Sequence, residues 1–466
     1  MEAAVTSHKS IEPAVVARGA PSEQGAAVAA QQGAAVAAQR GAAQQGAAVA
    51  AQGAAVAERS SRRGLWISST YFAEGLPYAI AHKVAGEFFT AAGASLQIIG
   101  LVSLYGLPWN LKFLWSPLVD LHGSSRRWLV GAEIALAAIL LALAAAADLG
   151  ALGLVAALFG VVAVAAATHD IAVDGFYLQA LDKDAQAAFS GLRVGAYRIA
   201  LLVGALLVAF AGWASFGAAF AVAAVGFALL ALAHALWLPR PAAPARPAAA
   251  GPGAAAGPGA AGGLGGSAGP LLRYAEPFRA FLRQPRIASS LAFILCYRAG
   301  DALMFAMSSP LLKDLGLDTA MRGTVGGVGT VASIAGSMLG GVAIQRWSLA
   351  RTIFPIALLQ SLAILLYVAL AWLRPALPWI VALVTLEQLA AGIGTAVLVV
   401  FLMRRCADGY KSSHFAIGSA LMSVSATVAG SASGYLADAV GFTAFFAIAF
   451  AASIPGVALS RWVPRE

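Results

Sequence analysis

From Leu65 to Trp462 the chain is a succession of apolar blocks, each about 20 to 27 residues long and separated by short polar joints. A helix rises about 1.5 Å per residue, so each block matches the roughly 30 Å hydrocarbon core of a bilayer. The blocks fall near 65–90, 95–115, 128–147, 151–177, 187–212, 215–238, 286–312, 320–344, 350–372, 377–402, 413–436 and 441–462. Composition agrees with a lipid solvent: 60% of residues are hydrophobic and only 11% charged, where a soluble domain carries about a quarter. A water-soluble enzyme with a single core is thereby excluded. The predicted fold class is an all-α integral membrane protein of twelve transmembrane helices.

Two segments break the pattern. Residues 1–63 are built from Gly, Ala, Gln and Val, with a QGAAVAA unit recurring at Gln24, Gln32 and Gln45. Such composition reads as a disordered, low-complexity cytoplasmic tail and lacks the basic start and compact core of a signal peptide. Residues 239–284 are rich in Pro, Ala and Gly, then basic, and read as a cytoplasmic linker ending in a short interfacial helix. Residues 64–238 and 285–466 are the two six-helix halves on either side.

Basic residues near span ends are retained on the cytoplasmic side. One side collects Arg62, Arg63, Arg126, Arg127, Lys183, the linker arginines, Arg346, Arg351, Arg404, Arg405, Lys411 and Arg461, and the other only Lys83, Lys313, Arg322 and Arg374. Both termini are expected in the cytoplasm, which demands an even number of spans. The net charge of +9 is therefore topological and does not imply nucleic acid. Cys296 and Cys406 match no metal or redox spacing. Two six-helix halves around a cytoplasmic linker resemble a major-facilitator transporter, whose substrate sits between the halves near the midplane.

Ionisable groups deep in lipid cost a few kcal/mol each, so they face a cavity or a partner. The deep ones are Glu74 on span 1, Asp170 on span 4, Arg198 on span 5, Arg298 and Asp301 on span 7, and Glu387 on span 10. Taking the turn between spans 4 and 5 to centre near Asp184, Asp170 and Arg198 lie equally deep, as do Asp174 and Arg193. Two stacked ion pairs are expected, serving either as a static brace or in proton or substrate binding. Arg298 and Asp301 are one helical turn apart and should satisfy one another or reach Glu387. His82 beside Lys83 reads as interfacial, and Gly336, Gly340, Gly191 and Gly195 as points of close helix approach.

Several strings together resemble the AmpG-type muropeptide permeases of the major facilitator superfamily, with the acetyl-CoA transporter branch behind them. They are Gly75-Leu76-Pro77, the specific run from Lys112 through Trp115-Ser116-Pro117 to Asp120, Asp170-Ile171-Ala172-Val173-Asp174, Gly195-Ala196-Tyr197-Arg198, Tyr297-Arg298-Ala299-Gly300-Asp301, Gln345-Arg346-Trp347, and Glu387 ahead of Gly392-Ile393-Gly394. The resemblance implies proton-driven import of anhydromuropeptides across the inner membrane. His169 before Asp170 and Arg298 in place of a Lys depart from the family pattern, and the second bears on substrate detail because a guanidinium is bidentate.

An anionic glycopeptide needs cations and hydrogen-bonding aromatics. Arg198 and Arg298 are the expected cations, with Tyr71, Tyr197 and Tyr297 as the aromatics. Proton coupling needs a carboxylate whose surroundings change between states, and Asp301, Asp170, Asp174, Glu74 and Glu387 are the candidates. Lys112, Asp120, Arg126 and Arg127 are expected to form a cytoplasmic gate, with Asp120 binding Arg126, Arg127 or a neighbouring helix N-terminus. The expected partners are the cargo, protons and lipid, with no cofactor, metal or nucleic acid and a monomeric state. Alternatives are another anionic cargo, of the acetyl-CoA or siderophore type, and a non-transporting membrane sensor.

Overall fold

A computed structural model describes residues 61–121, 124–240, 276, 278–406 and 411–463. The chain divides into a unit of residues 1–63 and a unit of residues 64–466; the second carries the bundle. The tail over residues 1–60, the linker over 241–275 and the side chain of Asp120 lie outside the described residues.

Among the described residues there is no strand. Nine helices among the described residues are long and apolar enough to cross a bilayer: span 3 Ser125–Asp148, span 4 Leu152–Ala180, span 5 Lys183–Trp213, span 6 Phe216–Trp237, span 7 Ile287–Asp314, span 8 Thr319–Trp347, span 9 Leu349–Leu373, span 10 Leu377–Arg404, and one of 49 residues, Lys411–Leu459. That last helix is more than twice the length one crossing needs. Gly441, with φ of 77°, breaks it. The chain then turns back, so that span 11 (411–440) and span 12 (442–459) are two crossings, bringing Ser453 beside Ser361 on span 9. Spans 1 and 2 complete the twelve.

Those first two spans are irregular. Span 1 (61–91) is helical to residue 79, passes through a π-helical turn at Ile80–Val84 and resumes at Ala85–Ala91. Span 2 alternates α-helix (Leu96–Leu101, Leu107–Leu111) with 3-10 turns (Val102–Gly106, Lys112–Leu114). Pro108, at the start of Leu107–Leu111, removes a backbone donor where the helix restarts. Such interruptions persist in a membrane only where protein or a wet cavity satisfies the freed groups.

The polar joints stop the helices for a local reason. Ser95, Ser124, Asp182, Ser215 and Asp318 each accept the backbone N–H three residues on, as N-caps do. Asp182 and Asp318 are thus acids of helix ends and take no part in the interior charge set.

Packing separates the two ends of the bundle. Around the joints at residues 92–95, 214–215 and 315–318 the two halves share one apolar cluster, with Phe88, Phe159 and Phe220 of the first half and Met304, Leu311 and Phe446 of the second. At the end where the linker attaches, the core splits. Trp66, Phe176 and Leu238 form one cluster within the first half, and Phe293, Ile353 and Phe401 another within the second. Spans 5 and 8 meet closely at the shared end, where a Cβ on Gly323 would stand 2.5 Å from the Cα of Ala209. Outward faces keep large apolar side chains exposed, among them Leu141, Leu229 and Met338, as a lipid-facing surface requires. The protein is a multi-pass membrane protein.

Candidate functional site

Between the halves lies a cavity of about 390 Å³, within the range of small-molecule pockets. Span 1 gives it Tyr78, His82, Lys83 and Glu87, span 2 Trp109, span 5 Arg198, span 7 Arg298 and Asp301, and span 8 Arg322. The rings form one wall: His82 stacks on Tyr78 at 4.0 Å, and Trp109 packs edge-on 5.2 Å from Tyr78 and 5.1 Å from His82. Four basic side chains face two carboxyls, so the cavity carries a surplus of positive charge. Arg322 Nε donates to Glu87 Oε2 at 2.8 Å, both almost fully buried, and ties span 8 to span 1 at the shared end. Lys83 Nζ donates to the Gly326 carbonyl at 3.2 Å. Arg298 Nη1 donates to Asp301 Oδ2 at 2.6 Å. Arg198 has no carboxylate within ion-pair distance among the described residues.

A second group of charges lies toward the linker end, outside the walls of this cavity. Arg193 pairs with Asp174 at 2.9 Å, as the sequence geometry anticipated. Tyr71 donates its hydroxyl to the same carboxylate at 3.0 Å, and the Arg193 guanidinium sits 4.4 Å over the Tyr71 ring. The expected partnership of Asp170 with Arg198 is corrected: Lys112 of span 2 takes Asp170. Span 4 ends at Ala180 and span 5 begins at Lys183, so the turn centres nearer 181–182 than 184. Arg198 therefore sits about five residues, roughly 7 Å, deeper than Asp170. Glu74 lies beside Asp170, with Oε2 buried and unpartnered.

Other expectations need correcting on the same grounds. Lys112 belongs to the Asp170 pair within the first half and not to a surface gate. Arg126 donates to the carbonyls of His234 and Ala235, closing the end of span 6, and Arg127 is exposed. The hydroxyls of Tyr71 and Tyr297 are both committed, the latter to the Gly394 carbonyl at 3.0 Å. Tyr297 and Asp301 flank a second hole, about 10 Å³, with Gln360 and Ser453. Tyr197 packs 6.1 Å from Tyr78 and does not line the large cavity. Glu387 is 1% exposed and accepts from Gln388 Nε2 at 2.9 Å; its neighbour Gln388 reaches the cavity wall.

Sequence reasoning missed Tyr78, His82 and Trp109, and assigned His82, Lys83 and Arg322 to the membrane surface. A signal existed: Glu74, Tyr78 and His82 recur every four residues, one face of a helix. It also missed the fully buried Glu133 and His234, because both stand within reach of a span end by count.

The model of the Major Facilitator Superfamily matches residues 64–386. The chain belongs to that superfamily. An anhydromuropeptide permease of Escherichia coli is 29% identical over 405 residues, covering 83% of this chain and 77% of the permease. A putative transporter AmpG 4 of Rickettsia conorii is 22% identical over 395 residues, covering 82% of this chain and 92% of that one. Among solved structures, the nucleoside transporter NupG aligns with a TM-score of 0.60 at 14% identity, over 85% of this chain and 97% of that chain. The xylose transporter XylE of E. coli, in an inward-open conformation, aligns with a TM-score of 0.60 at 8% identity, over 87% and 97%. These two share the fold. Like its relatives, the chain is a secondary transporter of a small molecule.

Proposed function

We propose that this transporter imports anionic cell-wall glycopeptides of the anhydromuropeptide type by alternating access, driven by protons. The observation that carries the cargo class is Arg198, a cavity-facing guanidinium without a carboxylate partner among the described residues. A deep charge of this kind is retained for a ligand or a pathway. The surplus of basic groups on the wall fits peptide carboxylates, and Tyr78, His82 and Trp109 offer flat faces to sugar rings. The similarity to an anhydromuropeptide permease supports the same cargo.

The basic span ends support an inner-membrane orientation with both termini in the cytoplasm. In that orientation the shared apolar cluster is the periplasmic seal, and the split cores open the cavity to the cytoplasm. A cargo carboxylate that draws Arg298 away leaves Asp301 without its counter-charge, and a proton then restores neutrality there. Coupling follows because cargo and proton favour the same rearrangement of one ion pair. The functional unit is a monomer in this reading, since cavity and seal are both built from one chain.

The test is uptake of a labelled anhydromuropeptide into proteoliposomes carrying the purified full chain, with an inward proton gradient. Accumulation that an uncoupler collapses, and that unlabelled anhydromuropeptide competes away, is the expected result. Absence of uptake alongside robust transport of a different anion, such as an acyl-CoA, would replace the cargo; uptake indifferent to the uncoupler would remove the proton.

A further inference from the structure

Beside the large cavity, the second half encloses the smaller hole of about 10 Å³, walled by residues of spans 7, 9 and 12. Of the residues that wall the two spaces, only Asp301 belongs to both, so it stands between them. The wall of the hole is polar for a membrane interior: Tyr297, Gln360, Ser361 and Ser453 line it together with Asp301. Gln360 lies near the middle of span 9 and is 5% exposed. Neither its Oε1 nor its Nε2 has a hydrogen-bond partner among the described residues. Span 10 makes room for that amide with a glycine, since a Cβ on Gly394 would stand 1.6 Å from Gln360 Oε1.

An amide unsatisfied on both atoms within the hydrocarbon layer is costly, and an apolar side chain of similar size would avoid the cost. What the hole admits is set first by its volume, which matches one water molecule. The chemistry of the wall narrows the choice further. Gln360 brings a donor and an acceptor, Asp301 an acceptor when ionised, and Ser361 and Ser453 hydroxyls that bond to one another. A water donates and accepts, so it meets Nε2 as well as the oxygens. A bare cation would suit the oxygens alone and would set its charge against the Nε2 hydrogens.

We propose that the hole binds one water, anchored by Gln360 and hydrogen-bonded to Asp301, and that this water serves Asp301 in both of its states. It donates to the carboxylate while Arg298 holds Oδ2. Once cargo has drawn Arg298 away and a proton has arrived, the water turns and accepts from the acid. The charged and titratable groups around Asp301 are Arg298 and Tyr297 on span 7, Tyr367 on span 9 and Glu387 on span 10. Lys83, Glu87, Arg198 and Arg322 stand with it on the cavity wall. Arg298 only donates, so it cannot follow the change of state, and the water can. Gln360 is thus a positioning residue, acting on Asp301 through the water. This role in coupling rests on the proton-driven reading above; the binding of the water does not.

Two measurements on the full chain decide it. The first is electron cryomicroscopy of the protein in nanodiscs, at a resolution that shows ordered water, with thermal melts in sodium chloride and in choline chloride beside it. A single density between Gln360 and Asp301 that disappears in Gln360→Met, with equal melting in the two salts, is the expected result. A hole without density, or melting raised by sodium in the wild type and not in Gln360→Met, overturns the water. The second is uptake into proteoliposomes. Gln360→Met fills a similar volume without a strong polar group and should lower driven accumulation about tenfold, with cargo exchange within about twofold of wild type, while Gln360→Asn, still an amide, should lose less than about threefold. A folded Gln360→Met that accumulates like the wild type, or that loses exchange to the same extent, overturns the positioning role. If the wild type moves no muropeptide, the importer reading fails and the density still decides the water.

Discussion

Arg298 and Asp301 face each other one turn apart on span 7, Nη1 to Oδ2 at 2.6 Å, on the wall of the central cavity. An ion pair contained within one helix does not brace that helix against its neighbours. It is better suited to being opened, because breaking it disturbs no packing between spans. The pair is therefore where cargo and proton meet in the proposed cycle.

Asp301→Asn should lower accumulation against a gradient by about tenfold or more while the protein still folds, because Arg298, left without its carboxylate, remains partly exposed on the cavity wall. Energy-independent exchange of cargo across the membrane should survive better than accumulation. Retained proton-driven accumulation in this variant would remove Asp301 from coupling. Arg298→Lys should weaken cargo binding, since a point charge replaces a two-pronged donor.

The remaining pairs make a contrast of partners. Exchanging the charges of Lys112 and Asp170 (Lys112→Asp with Asp170→Lys) should restore part of what either single change loses, and so should the exchange of Asp174 with Arg193. Asp170 exchanged with Arg198 should restore nothing. Double-mutant coupling of about 0.5–3 kcal/mol in stability is the expected scale for true partners, read from thermal melts of each single and double variant.

The crossing pattern was legible because one physical demand, burying about 20 apolar residues per pass, repeats twelve times. Which charges meet was less so. The turn between spans 4 and 5 lies two or three residues earlier than the sequence suggested, which sets Arg193 about four and Arg198 about five residues deeper than their expected partners; Arg193 still reaches Asp174, whereas Asp170 is taken by Lys112 from span 2. The site proper was misread at span 1, where the π-helical turn at Ile80–Val84 carries His82 and Lys83 on the cavity wall, though a count from the span end sets them at the surface. Span 2 hid Trp109 for a related reason: alternating helix types obey no single period.

Glycine spacing, too, divided once structure was known. Gly336 of span 8 lies against span 10, where a Cβ would stand 3.0 Å from the carbonyl carbon of Leu389, whereas Gly191 and Gly195 face open space. Gly336→Leu should therefore prevent folding or lower the melting temperature sharply. Gly191→Ala and Gly195→Ala should be neutral or stabilise by up to about 1 kcal/mol through helix propensity. Thermal melts in detergent separate the two classes, and equal sensitivity at all three positions would remove close packing as the explanation.

In the proposed cycle the periplasmic seal is held by Glu87 and Arg322, an ion pair across the halves in which both side chains are almost fully removed from solvent. Removing one partner leaves the other charge buried and unmatched, at a cost of about 3–5 kcal/mol, while removing both costs much less. The penalty applies only while the two spans remain together. Arg322→Ala should thus favour the conformation in which Glu87 regains water, which is the one open at that end. A cysteine at position 320, placed near Gly212 by the close approach of spans 5 and 8, should react with a membrane-impermeant thiol reagent severalfold faster in Arg322→Ala than with Arg322 intact. Glu87→Gln combined with Arg322→Gln should return the rate toward the starting value, because no buried charge is left to seek solvent. Equal labelling in all three backgrounds would mean that apolar packing alone holds the seal.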